Sequence, residues 1–298
     1  MKLGIGLPNT LTPDVNRGLF LDWARVSDHA GFHVFGTLDQ PNYDSWDPLV
    51  SLAAAAAVTE RVRLATTILQ LPNRNEVLVA KQSAVIDRLS GGRLDLGVAV
   101  GGREDDFKVF GARFAGRGAK LERQVRKIRK TWRAARRSTP EEGITGPAPM
   151  QKPLPPIWIG GSSDRAVARA VSIGDGYVFG AAGPEAMAAR APAIRAAAAE
   201  AGRKQFGLMG IAYVAIAEDP TDALEQATRA LTRYYRGNFH RPPRELVHHG
   251  PAEIVAQAAK EYEQAGLDVL VLLPLIPSLK QVEAIAAEVL PAYRVPAH

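Results

Sequence analysis

The 298-residue chain contains no cysteine, which excludes disulfides, thiolate metal sites and a cysteine nucleophile. A cytoplasmic location is the matching expectation. No stretch approaches the roughly 18 uncharged apolar residues that mark a membrane-spanning helix. Even the alanine-rich run at 53–57 is followed within four residues by Glu60 and Arg61. Residues Met1 to Pro8 run straight into a strand-like segment and a turn, without the layout of a signal peptide, and no membrane partner is expected. There is no Walker A sequence, no Gly-x-Ser-x-Gly elbow and no His-Glu-x-x-His. Histidine is scarce at six residues, and none lies near the acidic run Glu104-Asp105-Asp106, so no metal site is expected. That run is read as a helix start favoured by the dipole, with a general base or metal ligand as the sharper alternative.

What is present is alternation. Strand-like runs at 2–7, 33–38, 63–69, 94–100, 156–160, 177–181, 206–216 and 268–273 are bounded by Gly, Pro or Asn. Their continuous apolar character predicts strands buried on both faces of a parallel sheet. Helical patterns fill the gaps at 17–30, 47–59, 76–90, 118–137, 163–173, 184–201, 220–236, 251–265 and 278–290. Eight strands each followed by a helix predict one (β/α)8 TIM barrel domain over residues 1–298. The rival, a doubly wound open sheet, would carry a glycine-rich fingerprint after its first strand. Here that strand leads to Leu7-Pro8-Asn9-Thr10, and Pro8 lacks the N–H such a cradle uses. Three insertions are expected: 101–117 after strand four, 138–155 before strand five, and 237–250 in the seventh unit. In a barrel, loops leaving the C-terminal strand ends build the active site, so 101–117 is a functional candidate and 138–155 lies at the opposite face.

Those strand ends are polar and glycine-rich. Gly160-Gly161-Ser162-Ser163 precedes a predicted helix, where bare backbone, unpaired N–H groups and two hydroxyls suit a phosphate. An ordinary Ser N-cap after a glycine turn accounts for the same residues. Gly101-Gly102-Arg103 is a second place for a flat or anionic group, or simply a loop needing positive φ. His240, His248 and His249 cluster in the seventh-unit insertion at no zinc spacing, so a substrate lid is the better reading. Tyr234, Tyr235 and Phe239 enter that insertion and could wall an apolar pocket, or merely pack a helix end.

The net charge of +6 is local. Residues 117–137 hold ten basic side chains and one acidic, and the rest of the chain has net charge −3. Leu121, Val125, Ile128 and Trp132 form an apolar stripe on this helix. The basic face is either a solvated surface or a contact for something acidic: a protein, a peptide substrate or an acidic cofactor tail. No nucleic-acid motif accompanies it.

Several segments together resemble the bacterial-luciferase-like superfamily, whose members use reduced FMN or the deazaflavin coenzyme F420. They are Asp47-Pro48-Leu49, Thr59 to Leu64, Ala80-Lys81-Gln82, Ile86 to Leu94, Gly101-Gly102, Pro155 to Ser162 and Gly174-Asp175-Gly176, in family order over at least residues 3–176. The resemblance implies a barrel with the cofactor ring at the C-terminal face. Thr66, Thr67 and Ile68 should back the ring, with Thr67-Ile68 the candidate non-prolyl cis bond. Val100, Gly101, Gly102 and Arg103 should flank the ring or its chain. Gly160, Gly161, Ser162 and Ser163 should hold the phosphate, with Gly180 and Ala181 as further contacts. Many deazaflavin-dependent members have Asp-His after strand two, whereas this chain has Asp39-Gln40. Glutamine does not titrate, so Gln40 cannot be a general acid. Asp39, Gln40 and Tyr43 are the catalytic candidates, with Asp44 and Asp106 as further substitutes for the missing histidine. The expected function is hydride transfer between coenzyme F420 and an organic substrate, as a reductase, on a small molecule or peptide and in a homodimer. The alternatives are an FMN-dependent monooxygenase using dioxygen, and a non-catalytic barrel that binds an acidic partner through helix 117–137.

Overall fold

The computed structural model describes residues 1–11, 14–137, 146–237 and 241–293. Each apolar run becomes a strand: β1 Lys2–Gly6, β2 Val34–Thr37, β3 Arg63–Thr66 with its short continuation β4 Leu69–Gln70, β5 Leu94–Ala99, β6 Ile157–Gly160, β7 Gly176–Val178, β8 Gly207–Ile216 and β10 Val269–Pro274. All neighbours pair in parallel, in the order β10-β1-β2-β3-β5-β6-β7-β8, and pairing of β8 with β10 closes the ring. The eight-stranded (β/α)8 barrel expected from the alternation is therefore the fold. One further strand, β9 Val247–Gly250, lies in the seventh-unit insertion and pairs only with the C-terminal half of β8, from Tyr213 to Ile216. The sequence reading missed it. β7 is shorter than expected and stops at Val178, so Gly180 and Ala181 lie in the loop beyond it.

The helices are α1 Arg17–Ala30, α2 Pro48–Ala56, α3 Glu76–Leu89, α4 Glu104–Val109, α5 Arg117–Arg137, α6 Asp164–Ile173, α7 Pro184–Glu200, α8 Pro220–Tyr235, α9 Pro243–Leu246, α10 Ala252–Gln264 and α11 Leu279–Ala284. Local chemistry sets their ends. The Asn16 side chain accepts from the Leu19 amide at the start of α1, and Gly31 at φ +92° closes it. Asp47 caps α2 ahead of Pro48. The apolar stripe of α5 docks fully, with Leu121, Val125, Ile128 and Trp132 at most 1% exposed. Burying side chains of this size contributes about 1.5–3 kcal/mol each. Trp132 also donates its indole N–H to the Ala80 carbonyl at 2.9 Å.

At the end where the strands begin, four aspartates, of which Asp28 and Asp87 are buried, join turns to their neighbours. Asp28 accepts from the amides of Glu60, Arg61 and Val62 at 2.7–3.0 Å. Asp87 accepts from Met150 and Gln151, Asp175 from Ile157, and Asp268 from Leu208. Arg93 donates to Thr59 and to the carbonyl of Val62. Thr59–Leu64, Ile86–Leu94 and Gly174–Gly176, which carry much of the family resemblance, are thus joinery at the floor and not cofactor contacts. The floor is filled by Trp158 of β6: side chains at Gly176 or Gly207 would place a Cβ within 2.4 Å of its ring. The part of the 138–155 insertion that is described, from 146 on, packs at this end, as expected; residues 138–145 lie outside the described residues.

Candidate functional site

The opposite end of the barrel gathers the predicted site residues. Thr66 donates its hydroxyl to the Gly97 carbonyl at 2.6 Å, and Thr67 to the Thr37 carbonyl at 3.3 Å. The Thr67–Ile68 peptide is cis, at the bond the resemblance singled out. This wall fits only because its neighbours lack side chains. A Cβ at Gly97 would lie 2.0 Å from the Thr66 carbonyl oxygen, and one at Gly160 would lie 2.6 Å from Ile68 Cδ1. Val100, Gly101 and Gly102 follow β5 on the adjacent strand end, and Arg117 anchors the loop by donating to the Gly101 carbonyl at 3.0 Å.

Gly160 to Ser163 lead from β6 into α6. Ser163 accepts from the Ala166 amide, so the N-cap reading is realised. The anion-site geometry coexists with it. Gly161 sits at φ +146°, and Ser162 and Ser163 are exposed at the positive end of a ten-residue helix. The Tyr177 hydroxyl donates to the Gly161 carbonyl, and Arg190 donates to the Ser162 carbonyl and to Asp164. Bare backbone, the exposed hydroxyls of Ser162 and Ser163 and a nearby arginine fit the phosphate end of a flavin-type cofactor. Gly180 and Ala181 lie in the loop after β7, where Arg241 reaches the Ala181 carbonyl at 3.5 Å.

After β2, Asp39 is buried, with both carboxylate oxygens engaged. One accepts from Arg74 at 2.9 Å and the other from the Gln70 amide at 2.7 Å. Burial pushes its carboxyl up, against the pull of Arg74. Gln70 donates its side-chain amide to the Asp39 carbonyl and to Asp106 at 2.9 Å. Asp106 is buried in the first turn of α4 and takes a second bond from the Asn42 amide. Burial raises this carboxyl too. Asp39 and Asp106 are therefore held in place by their partners, with both carboxyls raised by burial. Tertiary closure alone brings Gln70 between them, and the sequence reading missed it.

Across the mouth stands an aromatic–cation cluster. Arg103 lies over the rings of Tyr43 and Tyr235, at 4.7 and 5.1 Å from their centroids, and Arg236 lies over Tyr43 at 4.0 Å. The Tyr213 and Tyr235 hydroxyls are 2.7 Å apart. The Tyr234 phenol lies within hydrogen-bonding reach of the Gln40 side chain. Burial raises the titration of Tyr213, Tyr234 and Tyr235, so all three stay neutral donors at pH 7. Two buried polar atoms here lack partners among the described residues, Gln40 Oε1 and Arg103 Nη1. Tyr213 and Arg236 were not anticipated. Tyr213 sits in the middle of an apolar strand run, and Arg236 follows a helix whose end only the folded chain swings over the mouth.

Other candidates lie elsewhere. His248 packs on Tyr262, 3.2 Å between ring nitrogen and hydroxyl, and burial lowers its pKa. Phe239 and His240 lie outside the described residues. No cluster able to hold a metal ion occurs among the described residues. The basic helix α5 meets the site through Arg117 and through Gln124, which donates to the Arg74 carbonyl at 2.8 Å. Its far half lines a cavity of about 1130 Å³ at the floor, where Arg129 pairs with Asp175 and Arg136 donates to the Pro149 and Gln151 carbonyls. Among the described residues no helix is long and apolar enough to cross a membrane.

A monooxygenase, RslO1, from Streptomyces bottropensis superposes with a TM-score of 0.82 at 25% identity, over 99% of this chain and all of that one. The coenzyme F420-dependent tetrahydromethanopterin reductase of Methanopyrus kandleri shares the fold, at TM-score 0.77 and 19% identity, over 98% of this chain and 99% of that one. A protein of Mycobacterium tuberculosis named only as a candidate coenzyme F420-dependent oxidoreductase is 29% identical over 170 residues, 51% of this chain and 48% of its own length. The oxygenase component of a flavin-dependent trigonelline monooxygenase from Acinetobacter baylyi is 26% identical over 149 residues, 47% of this chain and 41% of that one. The matched part of the chain thus spans about half the length of these curated relatives, or less. The profile of the luciferase-like monooxygenase family matches residues 1–269, and with the barrel, the glycine-walled cradle and these likenesses it makes the chain a member of that family of F420- and FMN-dependent oxidoreductases.

Proposed function

We propose that this enzyme transfers hydride between coenzyme F420 and a small organic substrate, acting as an F420H2-dependent reductase. The observation that carries the reading is the pair of arginines at the exit of the phosphate cradle: Arg190, which also pairs with Asp164, borders Ser162, and Arg241 borders Ala181. A deazaflavin coenzyme extends beyond its phosphate into an acidic tail, and these arginines stand where such a tail would leave. The cofactor supplies two-electron hydride chemistry when bound. Thr66, Thr67, Ile68, Val100, Gly101 and Gly102 would hold its ring, and Gly160 to Ser163 its phosphate. Asp39 positions the Gln40 segment through Arg74 and Gln70. Gln40 orients by hydrogen bonding, and the neutral phenols of Tyr234 and Tyr235 hold protons next to it. Tyr43 walls the mouth from the other side.

The alternative reading is an FMN-dependent monooxygenase. It is favoured by the likeness to RslO1 over nearly the whole chain. Titrating the purified protein with each cofactor, followed by cofactor absorbance and fluorescence, separates the two. F420 is expected to bind at least about tenfold more tightly, worth roughly 1.4 kcal/mol; FMN binding more tightly reverses the assignment. The cradle is tested by Ser162→Asp, which sets a negative charge at the phosphate position without removing the Ser163 cap. It should weaken binding of either cofactor by tenfold or more and leave the melting temperature unchanged. Gly161→Asp would be a poorer probe, because its Cβ would meet Ala166 at 2.7 Å in an unfavourable φ region.

A further inference from the structure

The guanidinium of Arg103 is unusual in its surroundings. Arg103 is the residue before α4 and makes no side-chain capping bond there; its guanidinium reaches instead across the mouth to the faces of Tyr43 and Tyr235. Its Nη1 is buried and makes no hydrogen bond among the described residues, and no carboxylate forms an ion pair with it there. The two buried acids of the mouth are committed elsewhere. Asp106 accepts from Gln70 and Asn42, and Asp39 accepts from Arg74 and Gln70. The tyrosines around it are neutral, so they solvate the cation through their ring faces but do not neutralise it. Arg103 is only half-buried, but an N–H of its guanidinium shut away from water without an acceptor is costly unless something binds there. The second orphan at this mouth has the opposite character. Gln40 Oε1 is an acceptor with no donor among the described residues, on a side chain whose amide lies beside the Tyr234 phenol.

We propose that Arg103 and Gln40 form the polar half of the substrate subsite, and that the substrate is a small organic carboxylate that also carries a hydroxyl or N–H. The carboxylate accepts from Arg103 Nη1 in a charge-assisted bond. The hydroxyl or N–H donates to Gln40 Oε1. The rings of Tyr43 and Tyr235 supply flat apolar walls on either side of the guanidinium. This assignment rests on the cofactor-dependent reading above and gives that site its substrate class. It moves Arg103 from the cofactor to the substrate. The geometry is consistent with this: Arg103 reaches toward the elements after β2 and α8, whereas the phosphate cradle lies after β6.

The test uses the full chain and isothermal titration with 4-hydroxybenzoate, benzoate and hexanoate, each against its neutral amide. The acids should bind at least tenfold more tightly than their amides, and 4-hydroxybenzoate more tightly than benzoate. Arg103→Met should weaken acid binding about 100-fold or more and abolish the preference for acid over amide, while Arg103→Lys restores part of it. Equal binding of acids and amides, no binding of any acid, or an unchanged preference in Arg103→Met overturns the proposal. F420 and FMN titrations of the same variants separate this result from the function reading. If Arg103→Met loses cofactor affinity in step with acid affinity, the arginine belongs to the cofactor and the subsite is wrong while the reductase stands. If the wild-type chain prefers acids yet binds no F420, the subsite stands and the reductase falls. Thermal melts confirm that each variant is folded.

Discussion

A single residue can be placed by its neighbours more firmly than by its type, and His33 is one such residue. It lies at the floor, just before β2, where its amide donates to the Leu3 carbonyl at 2.8 Å. Burial, with the charges of Lys2 and Arg63, lowers its pKa to about 4 from 6.5. The unfolded chain therefore binds a proton that the folded chain refuses between pH 6.5 and 4. Stability from this group is complete above pH 6.5 and is lost on acidification through that window, by about 2 kcal/mol after allowing for partial exposure. Thermal melts from pH 7 to pH 5 should show the decline, and His33→Asn should flatten it. At the same scale, Gln40 was legible in the sequence as a departure from the family, since a non-titrating amide replaces an imidazole. That its oxygen would be left bare was not legible, because that depends on which way Tyr234 and Arg103 turn.

Elements carry the division of labour between the two barrel ends. Asp28, near the end of α1, holds three successive amides ahead of β3, and those bonds with Arg61 keep its carboxyl below the usual range despite burial. Asp28→Asn keeps the volume but sets an amide against N–H donors. It should cost about 2–4 kcal/mol in urea unfolding while cofactor affinity stays unchanged, because the residue lies far from the mouth. The eight barrel strands were legible because each is a short apolar run between breakers. β9 was not: two histidines interrupt four residues, and only pairing with β8 makes them a strand. For α5 the sequence shows how much charge there is but not where it points. Arg129 and Arg136 turn inward onto an aspartate and carbonyls at the floor, so part of the basic face is structural.

At the scale of the whole molecule, α2 and α3 pack side by side and leave Val50 65%, Leu78 53% and Leu89 55% exposed. These exposed apolar side chains are the candidate contact for the homodimer expected from the family resemblance. Sedimentation should give a dimer, and Leu78→Glu should shift it toward monomer without loss of the folded signal. The barrel itself has one further property. Its floor is filled by the Trp158 indole standing in the space of two missing side chains, with the aspartate joinery around it. One indole from β6 thus occupies the room that β7 and β8 give up at Gly176 and Gly207. Three neighbouring strands share a single filler, so trimming that one ring would loosen all three at the floor together.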